Sequence, residues 1–161
     1  TATSTNHPVL FSLNSSCYKL YSQREGISWV QAAEICRDTG GHLVCLESEQ
    51  ETQTIYAYLT TKWHITSPDV YIGRVFSCTV YLIFALCNPQ SSFTRGGWEK
   101  NQPDGVGTEN CVLMKKTSGR FVKAWQDVPC AYNQVNQFVC ERQRSSQMHL
   151  LYSGNLNYLM I

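Results

Sequence analysis

Apolar and polar residues alternate along "CYKLYS", Cys17 to Ser22, the two-residue period of a strand with one buried face. The period then changes. In "SWVQAAEICRDTGG", Trp29, Ala32, Ala33 and Cys36 recur at the spacing of one helix face. Ser28 is placed to cap that helix, with Gln31 completing a capping box, and Gly40-Gly41 ends it. "HLVCL" predicts a short strand. "SEQETQTIYAYLTTK" repeats the start signal, with Ser48 as cap and Glu51 at the third helical position. Ile55 and Leu59 give it a modest apolar face, so the second helix is predicted to be amphipathic and exposed on one side.

After "VYIG", Val70 to Gly73, the pattern breaks into loops and short strands. The longest apolar run, "TVYLIFALC" from Thr79 to Cys87, reads as a buried strand, or as an aggregation-prone segment if exposed. It is too short for a membrane helix, which needs about 20 residues. Two early helices followed by short strands, with no regular strand–helix alternation, predict an α+β fold and argue against a parallel α/β sheet. No internal repeat is present. The chain divides into an N-terminal segment 1–16, a domain 17–143 and a C-terminal tail 144–161. The tail reads equally as a small hairpin around Ser153-Gly154-Asn155 or as a mobile end. "QREGIS" and "MKKTSGR" read as solvated, charged turns.

Composition narrows the class. A chain of 161 residues fits one domain with a real core. Its formal charge of +1 and 16% charged residues give no electrostatic case for nucleic acid or a polybasic membrane surface. Eight cysteines without a C-x-x-C or a Cys/His cluster at zinc spacing predict a disulfide framework and a secreted or extracellular setting. Asn14-Ser15-Ser16 is a glycosylation sequon consistent with that setting. The start, "TATSTNHP", carries no signal-peptide pattern, so any signal peptide is expected to have been removed or left out of this sequence. His7, His42, His64 and His149 are scattered, and no nucleophile–base pair is evident, so an enzyme is not expected. Trp29, Trp98 and Trp125 are expected in core or loop-base packing, and Trp63 fits packing or ligand contact.

In order along the chain, "CYKLY", "SWVQAAEIC", "GGHLVCLESEQE", "YIG", "WEKNQPDG", "ENCV", "WQDVPC" and "QFVCE" resemble the C-type lectin-like domain over roughly Cys17 to Glu141. The resemblance implies two helices flanking a small antiparallel sheet, with a long irregular loop region. It also implies disulfides Cys36–Cys140 and Cys111–Cys130. Cys78 and Cys87 are close enough in sequence for a local bridge. Cys17 and Cys45 are left to pair together, stay free or join two chains. The segment Val75 to Gly97 departs most from the family.

Taken alone, "QPDG" is an ordinary β-turn. In the family this triplet holds Ca²⁺, an ion that takes roughly 6–8 oxygen ligands. The resemblance assigns metal-ligand roles to Gln102, Asp104, Glu109 and Asp127, with Pro103 in the cis form turning Gln102 and Asp104 toward one point. Gln126 stands where the family has Asn, with the same amide on a longer stem, which implies weaker calcium binding. The acids of an auxiliary site are absent and Gly105 stands in place of another, so one ion is expected at most. Repulsion among Asp104, Glu109 and Asp127 predicts a mobile ion-free loop. Gln102, Asp104, Glu109 and Asp127 would also bind the sugar, and the Gln-Pro-Asp form implies galactose or N-acetylgalactosamine. Against that, the loop "GVGTE" lacks the aromatic ring on which such sugars usually stack. Glycans or glycoproteins are the implied partners, with a homo-oligomer as the route to useful avidity. The alternative is a calcium-independent, protein-binding domain with a degenerate sugar site.

Overall fold

The computed structural model describes residues 10–13, 15–61, 69–75, 97–105, 107–117 and 120–143. Among these residues nine elements follow in order: β1 (Leu10–Leu13), β2 (Ser16–Ile27), α1 (Trp29–Asp38), β3 (His42–Leu43), α2 (Glu49–Thr61), β4 (Asp69–Val75), β5 (Cys111–Thr117), β6 (Arg120–Val128) and β7 (Val135–Gln143). Strands β1, β2, β7, β4, β5 and β6 lie side by side in that order, and β3 pairs with β7. Expected as small and antiparallel, the sheet is mixed. β4 meets β7 in parallel at Tyr71 and Phe138, while its other neighbour, β5, runs antiparallel. The sheet also begins upstream of Cys17, where β1 pairs with β2.

The two helices cover opposite faces of this sheet. Helix α1 starts as its sequence directs. The Ser28 side chain accepts from the Gln31 N–H, and the Gln31 side chain accepts from the Ser28 N–H. Its buried face, Trp29, Ala32, Ala33 and Cys36, packs with Tyr71, Leu113 and Phe138. Ile55 and Leu59 of α2 pack with Val70, Ile72, Val112 and Met114. Consecutive residues of β4 and β5 therefore feed alternate cores, which is why "VYI" and "CVLM" read as unbroken apolar runs. Trp29 is fully buried and its indole N–H donates to the Ile72 carbonyl at 2.7 Å, joining α1 to β4. Trp125 is equally enclosed, and Trp98 packs edge-on against it with ring centroids 5.9 Å apart.

"QREGIS" and "MKKTSGR" are not simply turns. Gln23–Ile27 continues β2, and Met114–Thr117 lies within β5. In β5 the strand partners of Lys115 and Lys116 override their polar composition, because hydrogen bonds to a neighbouring strand do not depend on side-chain polarity, while in β2 the register shifts between Ser22 and Ile27 and pairing resumes at Ile27.

Cys36 and Cys140 are joined across 104 residues, fastening α1 to β7, and Cys111 and Cys130 across 19. Cys45 is also disulfide-bonded, and Cys17 is not its partner. Asn14, the suggested Cys78–Cys87 bridge, the 79–87 run, Trp63, His7, His64 and the 144–161 tail lie outside the described residues. Among the described residues no helix is long and apolar enough to cross a membrane.

A half-buried acidic network ties α2 to the sheet. The Tyr18 hydroxyl donates to Glu51 at 2.6 Å, and the Glu47 N–H donates to the other Glu51 oxygen at 2.9 Å. Glu141 accepts from Ser16 Oγ at 2.7 Å and from the Cys45 N–H at 3.2 Å. Burial pushes the Glu51 carboxyl above its ordinary value against the pull of those two donors, and the nearby Glu141 and Glu47 charges add to the rise. The folded chain therefore holds this proton to higher pH than the unfolded chain does. Stability contributed here should increase as pH falls through the folded-state value, levelling off below the ordinary glutamate range. Thermal melts from pH 7 to 4 in chelator should show that slope, and Glu51→Gln should flatten it. An unchanged slope in Glu51→Gln would remove Glu51 as its source.

Candidate metal and ligand site

The site lies where the end of β6 meets the start of β5. Antiparallel pairing sets Val112 opposite Asp127 and Cys111 opposite Val128, so Glu109, just before β5, arrives beside Asp127. The third strand of chain comes from the segment beginning at Gly97. The Trp125 N–H donates to Gly97 O at 2.8 Å and the Glu99 N–H to Trp125 O at 3.0 Å, laying this segment alongside β6. Only a glycine fits at 97, since a Cβ there would sit 2.1 Å from the Trp125 ring. The chain then turns, with the Gln102 N–H donating to Glu99 O at 3.0 Å and Asn101 at a φ of 69°. The Gln102–Pro103 bond that follows is cis.

Asp104, Glu109 and Asp127 each place a carboxylate oxygen within 4.8 Å of the other two. Asp127 is buried at 5% exposure, and both its oxygens accept backbone N–H groups, Oδ1 from Asp104 at 3.2 Å and Oδ2 from Gly105 at 3.0 Å. Its own N–H donates to Gln102 Oε1 at 3.3 Å, and Gln102 Nε2 donates to Asp104 Oδ1 at 3.1 Å. The repulsion anticipated among these acids is thus partly answered by amide donors aimed at Asp127. What remains falls on Glu109, whose carboxyl is raised by partial desolvation and then by the Asp127 and Asp104 charges. Gln126 stands apart from this ring of bonds, with Nε2 donating to Glu99 Oε2 at 2.6 Å. Glu99 gave no signal in the sequence beyond its place next to Trp98, and its role depends entirely on the segment lying along β6.

Glu109 folds back over Gly105, where a Cβ would lie 2.2 Å from Glu109 Oε2. Gly105 therefore leaves room for this carboxylate as well as lacking a ligand of its own. Gly105→Ala should displace Glu109 and lower divalent-cation affinity about tenfold or more, with little change in melting temperature in chelator. Titration calorimetry with calcium checks this, and unchanged affinity would mean that Glu109 contributes nothing at its present position.

Another constellation, His42, Cys45 and Glu141, also brings three possible ligand atoms together. Cys45 is disulfide-bonded and offers no thiolate, so the group fails as a metal site. The Asp104–Glu109–Asp127 set, in contrast, offers hard oxygen donors alone, with Gln102 adding an amide, a combination that suits calcium over zinc.

Residues 25–142 match the family described as Lectin C-type domain. The "Hemolymph lipopolysaccharide-binding protein" of Periplaneta americana is 33% identical over 123 residues, covering 71% of this chain but only 44% of that protein's length. The carbohydrate-recognition domain of the mouse scavenger receptor C-type lectin superposes with a TM-score of 0.59 at 23% identity, over 85% of this chain and 95% of that one. A calcium-independent type II antifreeze protein shares the fold with a TM-score of 0.62 at 20% identity, over 86% of this chain and 98% of that one. With an α+β fold of this topology and a family match spanning most of its length, the chain belongs to the C-type lectin domain family.

Proposed function

We propose that this domain is an extracellular, calcium-dependent carbohydrate-binding module without enzymatic activity, whose ligands are galactose-type sugars. The observation that carries the reading is the meeting of Asp104, Glu109 and Asp127 from two separate chain segments, their oxygens within 4.8 Å of one another. Gln102, Asp104, Glu109 and Asp127 would hold the ion, with the Gln126 amide as a further oxygen donor. A bound Ca²⁺ would supply coordination positions for two neighbouring sugar hydroxyls in place of water. The protein's own part is recognition: Asp104 and Glu109 carboxylates accept from the hydroxyls, and Gln102 Nε2 donates. Galactose and N-acetylgalactosamine are chosen on the resemblance of Gln102-Pro103-Asp104 to the family's galactose-type triplet. Calcium affinity in the range of other extracellular modules, about 10⁻⁴–10⁻³ M, fits a three-carboxylate set. Several such sites on one assembly of copies would raise weak single-site binding to useful avidity.

A second reading has its own support. Gln102 Oε1 and both Asp127 oxygens already have protein donors, so the loop closes without an ion. A domain held this way could present its loop surface to a protein partner with no metal. A glycan array probed in calcium and again in EDTA separates the two. Sugar signals that vanish on chelation support the lectin; no sugar signal in either buffer overturns it in favour of the protein-binding alternative.

A further inference from the structure

We propose that Glu99 is a positioning residue for Gln126: it claims the NH₂ end of that amide and so leaves the oxygen as the end available to a cation. The proposal rests on the calcium reading above. A glutamine amide has two unlike ends, of which only the oxygen can coordinate a hard cation. Left alone on its longer stem, the Gln126 amide can present either end. Glu99 removes the choice, because a carboxylate only accepts and must therefore face the NH₂ group. The contact is short, 2.6 Å from Nε2 to Oε2, and partly buried.

Glu99 is itself held at both peptide groups. Its N–H donates to Trp125 O at 3.0 Å, one residue before Gln126, and its carbonyl accepts from the Gln102 N–H at 3.0 Å. One residue thus joins the strand that carries Gln126 and Asp127 to the turn that delivers Gln102. The Gln126 amide, on a stem one methylene longer than the family's asparagine, meets Glu99 in this contact. Charge alone would not give this arrangement, since a carboxylate elsewhere near the site would add negative potential without orienting the amide.

The experiment is a double-mutant cycle on the full 161-residue chain, with calcium alone as the calorimetric probe. Glu99→Gln, which keeps the shape but can face Gln126 with either end of its own amide, is expected to lower calcium affinity about fivefold, because a charge-assisted bond that fixed the Gln126 amide becomes a neutral one that does not. Gln126→Ala should lower it by at least as much, and Glu99→Gln added to Gln126→Ala should change nothing further. In calcium-free buffer, the Gln126 side-chain amide resonance of ¹⁵N-labelled protein should shift on Glu99→Gln, a readout that does not depend on metal. Circular dichroism confirms that each variant is folded. An equal loss from Glu99→Gln in both backgrounds would mean that Glu99 acts by charge at a distance and would overturn the proposal. So would unchanged affinity in Glu99→Gln, or an unmoved Gln126 resonance, while the wild type binds calcium. A wild type that takes up no calcium overturns the site reading itself, and this proposal with it.

Discussion

Asp127→Ala should abolish detectable calcium binding and also destabilise the calcium-free chain by about 2–3 kcal/mol, the scale of losing hydrogen bonds to a charged acceptor. Both effects follow from one buried side chain with two duties. As a proposed ligand, Asp127 is the member of the carboxylate set fixed on a strand. As an acceptor, it holds the N–H groups of Asp104 and Gly105 and thereby the whole turn after Pro103. Alanine leaves those donors without their acceptor at a partly buried position. Asp127→Asn should fall between, since its carbonyl can serve one N–H while its NH₂ opposes the other. Calorimetry reads the first effect and urea denaturation in chelator the second. Normal calcium binding by Asp127→Ala would refute the site, whereas lost binding with unchanged chelator stability would refute only the claim that Asp127 organises the ion-free loop.

Replacing Cys36 and Cys140 together with alanine should bring the domain close to its unfolding threshold. The bond closes a loop 104 residues apart in sequence, for which the chain-entropy model gives about 4.7 kcal/mol. That compares with a total stability of about 5–15 kcal/mol for a typical domain. The expected fall in melting temperature exceeds about 10 °C. The Cys111–Cys130 bond closes a much shorter loop, separation 19, and its removal should cost less, about 3 kcal/mol. Its effect on calcium affinity should nonetheless be the larger of the two, because Cys111 lies two residues from Glu109 and Cys130 three from Asp127. Melting curves and calcium titrations of the two double variants test the opposite ordering of stability and affinity. The same ordering in both measurements would show that the shorter bridge has no particular bearing on the site.

Much of the scaffold was legible locally. The Ser28–Gln31 pattern marked the start of α1, and the spacing of Trp29, Ala32, Ala33 and Cys36 marked its buried face. Ser48 and Glu51 announced α2, but Glu51 proved to serve the sheet as well, accepting from Tyr18 as its own helix begins. The extent of β2 and β5 was not legible: Gln23–Gly26 run on between the paired positions Ser22–Gln137 and Ile27–Val135, and Lys115 and Lys116 pair with Asp69 and Phe121, so their strand state is set by partners elsewhere in the chain and not by their own polar side chains. The mixed character of the sheet was hidden for the same reason: the contact between β4 and β7 joins residues far apart in the chain.

Side-chain periodicity, helix caps and the oxygen-bearing residues themselves are written in the sequence, since each depends on atoms only a few residues apart. Whether those oxygens meet is a different matter. The pairing of β5 with β6 brings Glu109 to Asp127, the passage of the Gly97 segment along β6 brings Glu99 to Gln126, and the packing of α2 on the sheet brings Glu51 to Tyr18. Tertiary structure alone decided these contacts, because their strength depends on distance and burial in space, and neither quantity exists until the chain has closed on itself.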